Sequence, residues 1–192
     1  MPHDCRLYIP PRPNPAGAAQ DAAAAFVRVN PPTPRSLDAI RNDLVGESRR
    51  VVLGTGCFDI MHVGHVYFLE RASEQGDVLV IGVNSDTSVR KLKGPTRPVV
   101  SEHDRATMVA ALRYVDHVFV YHETVADQQI RALAPDVYVT GADSVDAYPT
   151  ELAAARDVGA VICVIDRVPN RSTSLMVGDV LRRGGDGNGQ TP

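Results

Sequence analysis

The sequence predicts an α/β protein built on a doubly wound, five-stranded parallel sheet. From Val51 onward, short apolar segments of strand length alternate with helical patterns, which is typical of parallel strands joined by crossover helices. The helical patterns carry apolar residues at intervals of three and four. Such sheets bind ligands beyond the carboxyl ends of their strands, near the point where the strand order reverses. We therefore expect the chemistry of this protein in the loops that follow the strands.

Each element has its own signal. Strands are predicted at residues 51–54, 78–83, 117–121, 137–140 and 160–165. Helices are predicted at residues 36–45, 65–75, 102–114, 125–133, 150–157 and 174–183. Ser36 and Ser101 are suited to cap the helices that they begin. Lys91 and Lys93, the two lysines of the chain, fall in a stretch containing glycine and proline that we interpret as a flexible loop.

The ends of the chain differ from its middle. Eight of the 14 prolines precede Arg35, so residues 1–49 are predicted to be a Pro- and Ala-rich arm with room for a short helix. Residues 50–183 form the predicted α/β domain. The Gly-rich residues 184–192 are predicted to be a disordered tail.

Composition excludes several classes of protein. With 192 residues, 44% hydrophobic and 22% charged, the chain has the composition of one globular domain. A net charge of -3 gives no basic footprint for nucleic acid or an anionic membrane. Cys5, Cys57 and Cys163 lack CxxC spacing, which disfavours a disulfide framework. No apolar run has the length of a membrane span or secretory signal, so we expect a cytoplasmic protein without membrane partners.

The loop after the first strand reads GTGCFDIMHVGH from Gly54 to His65. A dinucleotide fingerprint would need glycine at Asp59, and no GxxxxGK motif is present. His62 and His65 flank Gly64 where a helix begins, so both rings can lie beside backbone N–H groups and the positive helix end. This arrangement suits a polyphosphate. A metal site formed by both histidines and Cys57 is the weaker alternative because a fourth ligand is missing, and we predict no metal ligand from the protein.

The segment GCFDIMHVGH resembles the GxFDxxHxGH signature of the cytidylyltransferase-like nucleotidyltransferase superfamily. Arg171 to Ser174 reads RSTS and resembles the superfamily block that binds nucleotide phosphates, and Arg167 resembles the arginine that precedes this block. The resemblance implies a Rossmann-like HxGH fold. It also implies that a nucleoside monophosphate passes from an NTP to a phosphorylated acceptor, with release of pyrophosphate.

The middle of the chain narrows the resemblance. The segment VNSDTSVRKLKG at 83–94, with the segments at 97–99, 102–105 and 111–116, is similar to the adenylyltransferase domain that acts on heptose 1-phosphate. This similarity favours ATP and a sugar 1-phosphate. The family pattern VKGxDY after the fourth strand is replaced by VTGADS at 139–144, in a loop expected to line the acceptor pocket.

Two alternative functions stay open. Ethanolamine-phosphate and glycerol-phosphate cytidylyltransferases share parts of the pattern, so a CTP-dependent enzyme acting on a phosphonate, glycerol phosphate or another small phosphorylated acceptor is the first. A non-catalytic module that senses nucleotides is the second.

The resemblance assigns roles to individual residues. It implies catalytic roles for His62, His65, Lys93 and Arg171. It implies nucleotide binding by Thr55, Gly56, Cys57, Phe58, Asp59, Gly64, Lys91, Gly141, Asp143, Arg167, Ser172, Thr173 and Ser174. Asp59 is equally suited to order its loop or to contact the acceptor or a metal. Mg²⁺ is expected to arrive with the nucleotide, and a homodimer is expected from the family.

Overall fold

The computed structural model describes most of the chain after the N-terminal arm. The described residues are 34–46, 48–166, Val168, Thr173, 176–178, Val180 and Arg182. Residues 1–33 and the predicted tail at 184–192 lie outside this description. Of the predicted last helix, the described positions 176–178, Val180 and Arg182 are helical.

A five-stranded, all-parallel sheet organises the domain. Its strands are β1 (Val51–Gly56), β2 (Val78–Asn84), β3 (His117–Tyr121), β4 (Val137–Gly141) and β5 (Val161–Ile165). The strand order is β3-β2-β1-β4-β5, and every neighbouring pair is parallel. The predicted doubly wound sheet is therefore confirmed. The order reverses at β1, so the carboxyl ends of β1 and β4 mark the expected ligand site.

Six helices with described bounds connect or flank these strands. They are α1 (Leu37–Leu44), α2 (Val63–Ser73), α3 (Asp86–Lys93), α4 (Glu102–Ala110), α5 (Asp127–Leu133) and α6 (Pro149–Asp157), with a 3₁₀ turn at Ala142–Ser144. None of them has the length and apolar character needed to cross a bilayer.

Helix α3 corrects one prediction. The segment interpreted as a flexible loop around Lys91 and Lys93 is helical up to Lys93. The Ser85 hydroxyl accepts a hydrogen bond from the N–H of Ser88 and so caps the helix. Val89 is fully buried, which anchors the helix. The glycine and proline taken as loop signals begin only at Gly94, where the helix stops.

The sheet is covered on both faces. Leu53, Val80 and Tyr138 belong to the core on the face covered by α1, α5 and α6. Val52 and Ile81 belong to the core on the opposite face, against α2 and α4. All seven residues of β2 are buried, as expected for a strand inside a doubly covered parallel sheet. This packing fixes the strand ends on which the site is built.

Candidate active site

A cavity of about 260 Å³ lies beyond the carboxyl ends of β1, β4 and β5, at the start of α2. The structure brings ten of the predicted site residues to its lining. They are Thr55, Gly56, Cys57, Phe58, His62, Gly64, His65, Lys93, Gly141 and Thr173. We call this space the nucleotide cavity. Phe68, Ile165, Asp166 and Val168 also line it, and none of these four was predicted as a site residue.

The remaining predicted residues include two that the structure describes outside this lining and four that it does not describe. Lys91 is exposed on α3 and does not line this cavity. Asp143 lies in the 3₁₀ turn, and its side chain is outside the description. Arg167, Arg171, Ser172 and Ser174 also lie outside the described residues, so the predicted RSTS block is represented by Thr173 alone.

A second cavity of about 160 Å³ lies beside the first. Thr55, Gly56, Cys57 and Lys93 line both cavities, so the end of β1 and the end of α3 form their boundary. The second cavity is otherwise largely polar, with lining side chains that include Asn84, Tyr121, Thr124, Thr140, Ser144, Tyr148 and Glu151. We call it the polar cavity. The sequence indicated the loop at 139–144, which contributes Thr140 and Ser144, but not the other side chains, because they come from separate segments.

The two histidines are held by the backbone of the helix that they begin. The Nδ1 atom of His62 accepts a hydrogen bond from the Gly64 N–H at 3.1 Å. The Nδ1 atom of His65 accepts one from the His62 N–H at 3.3 Å. The rings stack with centroids 3.9 Å apart. Because Nδ1 is an acceptor in both rings, the neutral tautomer of each carries its proton on Nε2.

The charge state of His65 follows from its surroundings. Burial, together with smaller contributions from the neighbouring His62 and Lys93, lowers its pKa to about 3, while Asp59 opposes the change. The imidazole is therefore neutral near neutral pH. It acts as an Nε2–H hydrogen-bond donor, and the positive charge at the site comes from other groups.

Lys93 supplies such a charge. It is the last residue of α3 and lines both cavities, so its ammonium group can contact anions in either. Cys57 lies close by, and its Sγ donates to Asn84 Oδ1 at 3.6 Å. Burial raises the pKa of the Cys57 thiol, although Lys93 and Arg105 oppose the rise. The thiol stays protonated, which argues against a nucleophilic role.

Asp59 organises the loop between β1 and α2. Its side chain is 1% exposed and accepts hydrogen bonds from the N–H groups of Val99 and Val100 at 3.0 and 3.1 Å. Arg97 pairs with the same carboxylate at 2.8 Å. The Thr173 hydroxyl donates to the Asp59 carbonyl at 2.7 Å. The carboxylate is thus engaged within the protein, which is the geometry of the loop-ordering alternative.

The loop that Asp59 holds has an unfavourable backbone. Phe58 and Ile60, its two neighbours, have φ angles of 50° and 47°. This left-handed conformation costs non-glycine residues about 1–2 kcal/mol each. Hydrogen bonds on both the side chain and the carbonyl of Asp59 offset that cost, and they place the loop so that Phe58 closes one side of the nucleotide cavity.

Arg105 is a positioning residue that the sequence did not indicate. It is fully buried in α4. Its guanidinium donates to the carbonyl groups of Cys57, of Asn84 at 2.8 Å and of Val100 at 2.9 Å. It also pairs with Asp86 at 2.8 Å. One side chain therefore ties together the loop after β1, the end of β2 and the first turn of α3.

The class of protein follows from comparison with known families. Residues 53–175 match the model of the cytidylyltransferase-like family. This match covers more than half of the chain, and the chain belongs to that family. It is a nucleotidyltransferase.

Individual relatives support this assignment. The bifunctional protein HldE of Syntrophotalea carbinolica is 42% identical over 156 residues, covering 78% of this chain and 31% of the relative. The HldE protein of Methylobacillus flagellatus is 44% identical over 131 residues, covering 68% and 27%. The chain thus spans about three tenths of the length of the curated relatives that it matches.

A solved structure has the same fold. The crystal structure of a lipopolysaccharide core biosynthesis protein from Thermoplasma volcanium superimposes with a TM-score of 0.51 and 25% identity, over 63% of this chain and 98% of that chain.

Proposed function

We propose that this protein transfers an adenylyl group from ATP to a sugar 1-phosphate of the heptose type and releases pyrophosphate. The observation that carries the proposal is the set of groups lining the nucleotide cavity: two imidazoles whose Nδ1 atoms accept backbone hydrogen bonds, the amino-terminal end of α2, and Lys93. The choice of ATP and a sugar phosphate rests on the similarity of residues 83–116 to the heptose 1-phosphate domain. The HldE relatives and the lipopolysaccharide core biosynthesis protein are consistent with it.

In this reaction an oxygen of the acceptor phosphate attacks the α-phosphorus of ATP. A new phosphorus–oxygen bond forms, the bond to the β-phosphate oxygen breaks, and pyrophosphate leaves with the electron pair. No covalent enzyme intermediate is needed, so the protein contributes positioning and charge stabilisation. His62 and His65 donate to phosphate oxygens, and the dipole of α2 adds partial positive charge at the same place.

Lys93 is suited to bring the two anions together. Both substrates carry negative charge and repel each other in water. Lys93 lies at the boundary of the two cavities, so one ammonium group can neutralise charge on the triphosphate and on the acceptor phosphate. We propose that the triphosphate occupies the nucleotide cavity and that the acceptor approaches from the polar cavity.

We propose that Mg²⁺ is bound mainly through the triphosphate. In the described part of the chain, no group of three or more His, Cys, Asp or Glu side chains is arranged to hold a metal ion. Asp59 is occupied by Arg97 and two backbone N–H groups. Asp166 is the carboxylate in the lining of the nucleotide cavity and fits as a single protein ligand beside phosphate oxygens. When bound, the ion would supply charge neutralisation.

A panel of substrates tests the proposed reaction. Each NTP is incubated with Mg²⁺ and with heptose 1-phosphate, glycerol phosphate or a phosphonate, and pyrophosphate is measured. Release with ATP and the heptose phosphate is expected. Release only with CTP would replace the adenylyl assignment by the cytidylyl alternative, and no release with any pair would support the nucleotide-sensing alternative.

A histidine variant tests the assignment of the site. His65→Ala is expected to lower kcat by about 10²–10³, as is typical when a donor to developing charge is removed. His103→Ala is the matched control, because His103 is exposed on α4 and lines neither cavity. Equal activity in the two variants would show that His65 does not act in the reaction.

We also propose that the protein acts as a homodimer in the cytoplasm. The homodimer is expected from the family resemblance, and the cytoplasmic location is expected from the composition of the sequence. Sedimentation of the purified chain and fractionation of the source cells are the direct measurements.

A further inference from the structure

A series of hydrogen-bonded side chains runs from α6 through β4 to the end of β1. The Tyr138 hydroxyl lies 2.6 Å from Glu151 Oε2 and 3.2 Å from Thr55 Oγ1. The Ala126 N–H donates to the other carboxyl oxygen, Glu151 Oε1, at 2.7 Å. Tyr138 is 1% exposed and Glu151 is 5% exposed. Leu53 pairs with Tyr138, so Thr55, two residues further along β1, lies on the same face.

The chemistry of these groups fixes the direction of the series. The Ala126 N–H can only donate, so Glu151 Oε1 is an acceptor. In the ionised carboxylate Oε2 is also an acceptor, and it takes the single hydroxyl proton of Tyr138. The Tyr138 oxygen can then only accept, and it accepts from Thr55 and from Thr140. The Thr55 proton is therefore used within the protein, and the lone pairs of its oxygen are left for a ligand.

The protonation states agree with this direction. Burial raises the pKa of Tyr138 well above its ordinary value, and the adjacent Glu151 raises it further, so the phenol keeps its proton. Burial raises the pKa of Glu151, while the hydrogen bonds from Tyr138 and Ala126 lower it. With the carboxylate ionised, the series runs from Thr55 to Tyr138 to Glu151.

We infer that Glu151 and Tyr138 are positioning residues that hold the Thr55 hydroxyl as a hydrogen-bond acceptor toward a substrate. The inference rests on the proposed function. Thr55 lines both cavities, so its partner is a group bound at their boundary. An ionised phosphate oxygen has no proton to donate and does not fit. Among the substrate groups that can donate, we assign a hydroxyl group as the partner, which belongs either to the nucleotide ribose or to the sugar of the acceptor.

Two conservative variants test the direction of the series. In Glu151→Gln the amide oxygen must face the Ala126 N–H, so the amide nitrogen faces Tyr138 and donates to it. The Tyr138 proton then turns to Thr55, and the Thr55 proton turns toward the substrate. The shape of the site is kept while the polarity of Thr55 is reversed. Tyr138→Phe removes the link and keeps the ring. Thermal unfolding confirms that each variant is folded before kinetics are measured.

Kinetics distinguish the two sources of the hydroxyl. Both variants are expected to raise the KM of one substrate about three- to tenfold, the cost of one hydrogen bond, with kcat changed by less than about twofold. A rise in the KM of the NTP identifies the ribose hydroxyl, and a rise in that of the acceptor identifies its sugar. In a Thr55→Val background, Tyr138→Phe is expected to have no additional effect.

The matched control is Tyr114→Phe. The Tyr114 hydroxyl donates to Glu70 at 3.0 Å, and neither residue lines either cavity. The Tyr114→Phe variant therefore loses the same kind of hydrogen bond away from the site, and its two KM values are expected to match those of the wild type. If folded Glu151→Gln and Tyr138→Phe also match the wild type, or if Tyr138→Phe acts fully in the Thr55→Val background, the inference is wrong.

A spectroscopic readout separates this inference from the proposed reaction. Proton NMR of the wild type in mildly alkaline buffer is expected to show a slowly exchanging, downfield Tyr138 hydroxyl proton, which shifts upfield in Glu151→Gln and disappears in Tyr138→Phe. If the wild type releases no pyrophosphate with any substrate pair, the proposed function fails, and the NMR signal still decides the direction of the series. A Tyr138 proton unaffected by Glu151→Gln would overturn the inference.

Discussion

Replacing Arg105 by methionine removes the side chain that joins three segments of the site. The guanidinium of Arg105 donates to the carbonyl groups of Cys57, Asn84 and Val100 and pairs with Asp86. Methionine retains much of the aliphatic volume, so the variant tests polar contacts more than packing. Three carbonyl oxygens and one carboxylate would lose their partner in or near the protein interior.

The size of the effect follows from burial. Arg105 has no exposed surface, and the Asp86 side chain is 26% exposed. Removing one partner of a buried ion pair costs about 3–5 kcal/mol. Arg105→Met is therefore expected to lose that amount of unfolding free energy. Arg105→Lys keeps the charge but offers a single nitrogen, so its loss is expected to be smaller.

Urea unfolding with linear extrapolation measures the difference. Arg131→Met is the matched control, because Arg131 forms an ion pair with Asp157 at 2.7 Å whose side chains are 47% and 59% exposed. Exposed pairs contribute less than about 1 kcal/mol. If Arg105→Met and Arg131→Met lose the same free energy, burial does not set the strength of these contacts and the reasoning fails.

Three further predictions concern the protonation of His65, the loop held by Asp59 and the charge of Lys93. Between about pH 7 and pH 5 the wild type is expected to lose about 2 kcal/mol more unfolding free energy than His65→Gln. The pKa of His65 is about 3 in the folded protein and 6.5 ordinarily, so the unfolded chain takes up the proton first as the pH falls. Equal pH slopes would contradict a neutral, buried His65. Asp59→Asn is expected to cost about 3–5 kcal/mol of unfolding free energy in urea unfolding. If the variant is as stable as the wild type, the Asp59 carboxylate does not order the loop. Lys93→Ala is expected to lower kcat/KM about tenfold or more, and Lys91→Ala is expected to lower it much less. Equal losses would contradict the finding that Lys93, and not Lys91, lines the cavities.

The strands could be predicted because burial of a strand leaves a recognisable pattern of apolar residues in the sequence. A strand covered on both faces is a nearly continuous apolar run, as β2 is. Helix α3 was missed for the opposite reason. Its sequence DTSVRKLK has four charged residues among eight, and its apolar side chains Val89 and Leu92 form too short a stripe to stand out from a loop. Its anchoring depends on tertiary contacts.

The candidate site was predictable only in part. The histidines and their glycine stand together in one motif, so local sequence indicated them. Arg105 and Glu151 look like ordinary surface charges on helices, and their roles depend on partners distant in sequence. The bond from Arg105 to the Cys57 carbonyl spans 48 residues. No local pattern encodes such a contact.

The start of α2 shows how one residue can serve folding and chemistry together. Helices α1, α3 and α4 are capped by serine hydroxyls, whereas α2 is capped by the imidazole of His62. Serine is among the preferred capping residues, so a serine at position 62 would serve the helix while removing a ring from the cavity. The requirement of stability is therefore met by serine at this position, whereas activity needs the histidine. The histidine found there indicates that the requirement of activity has prevailed.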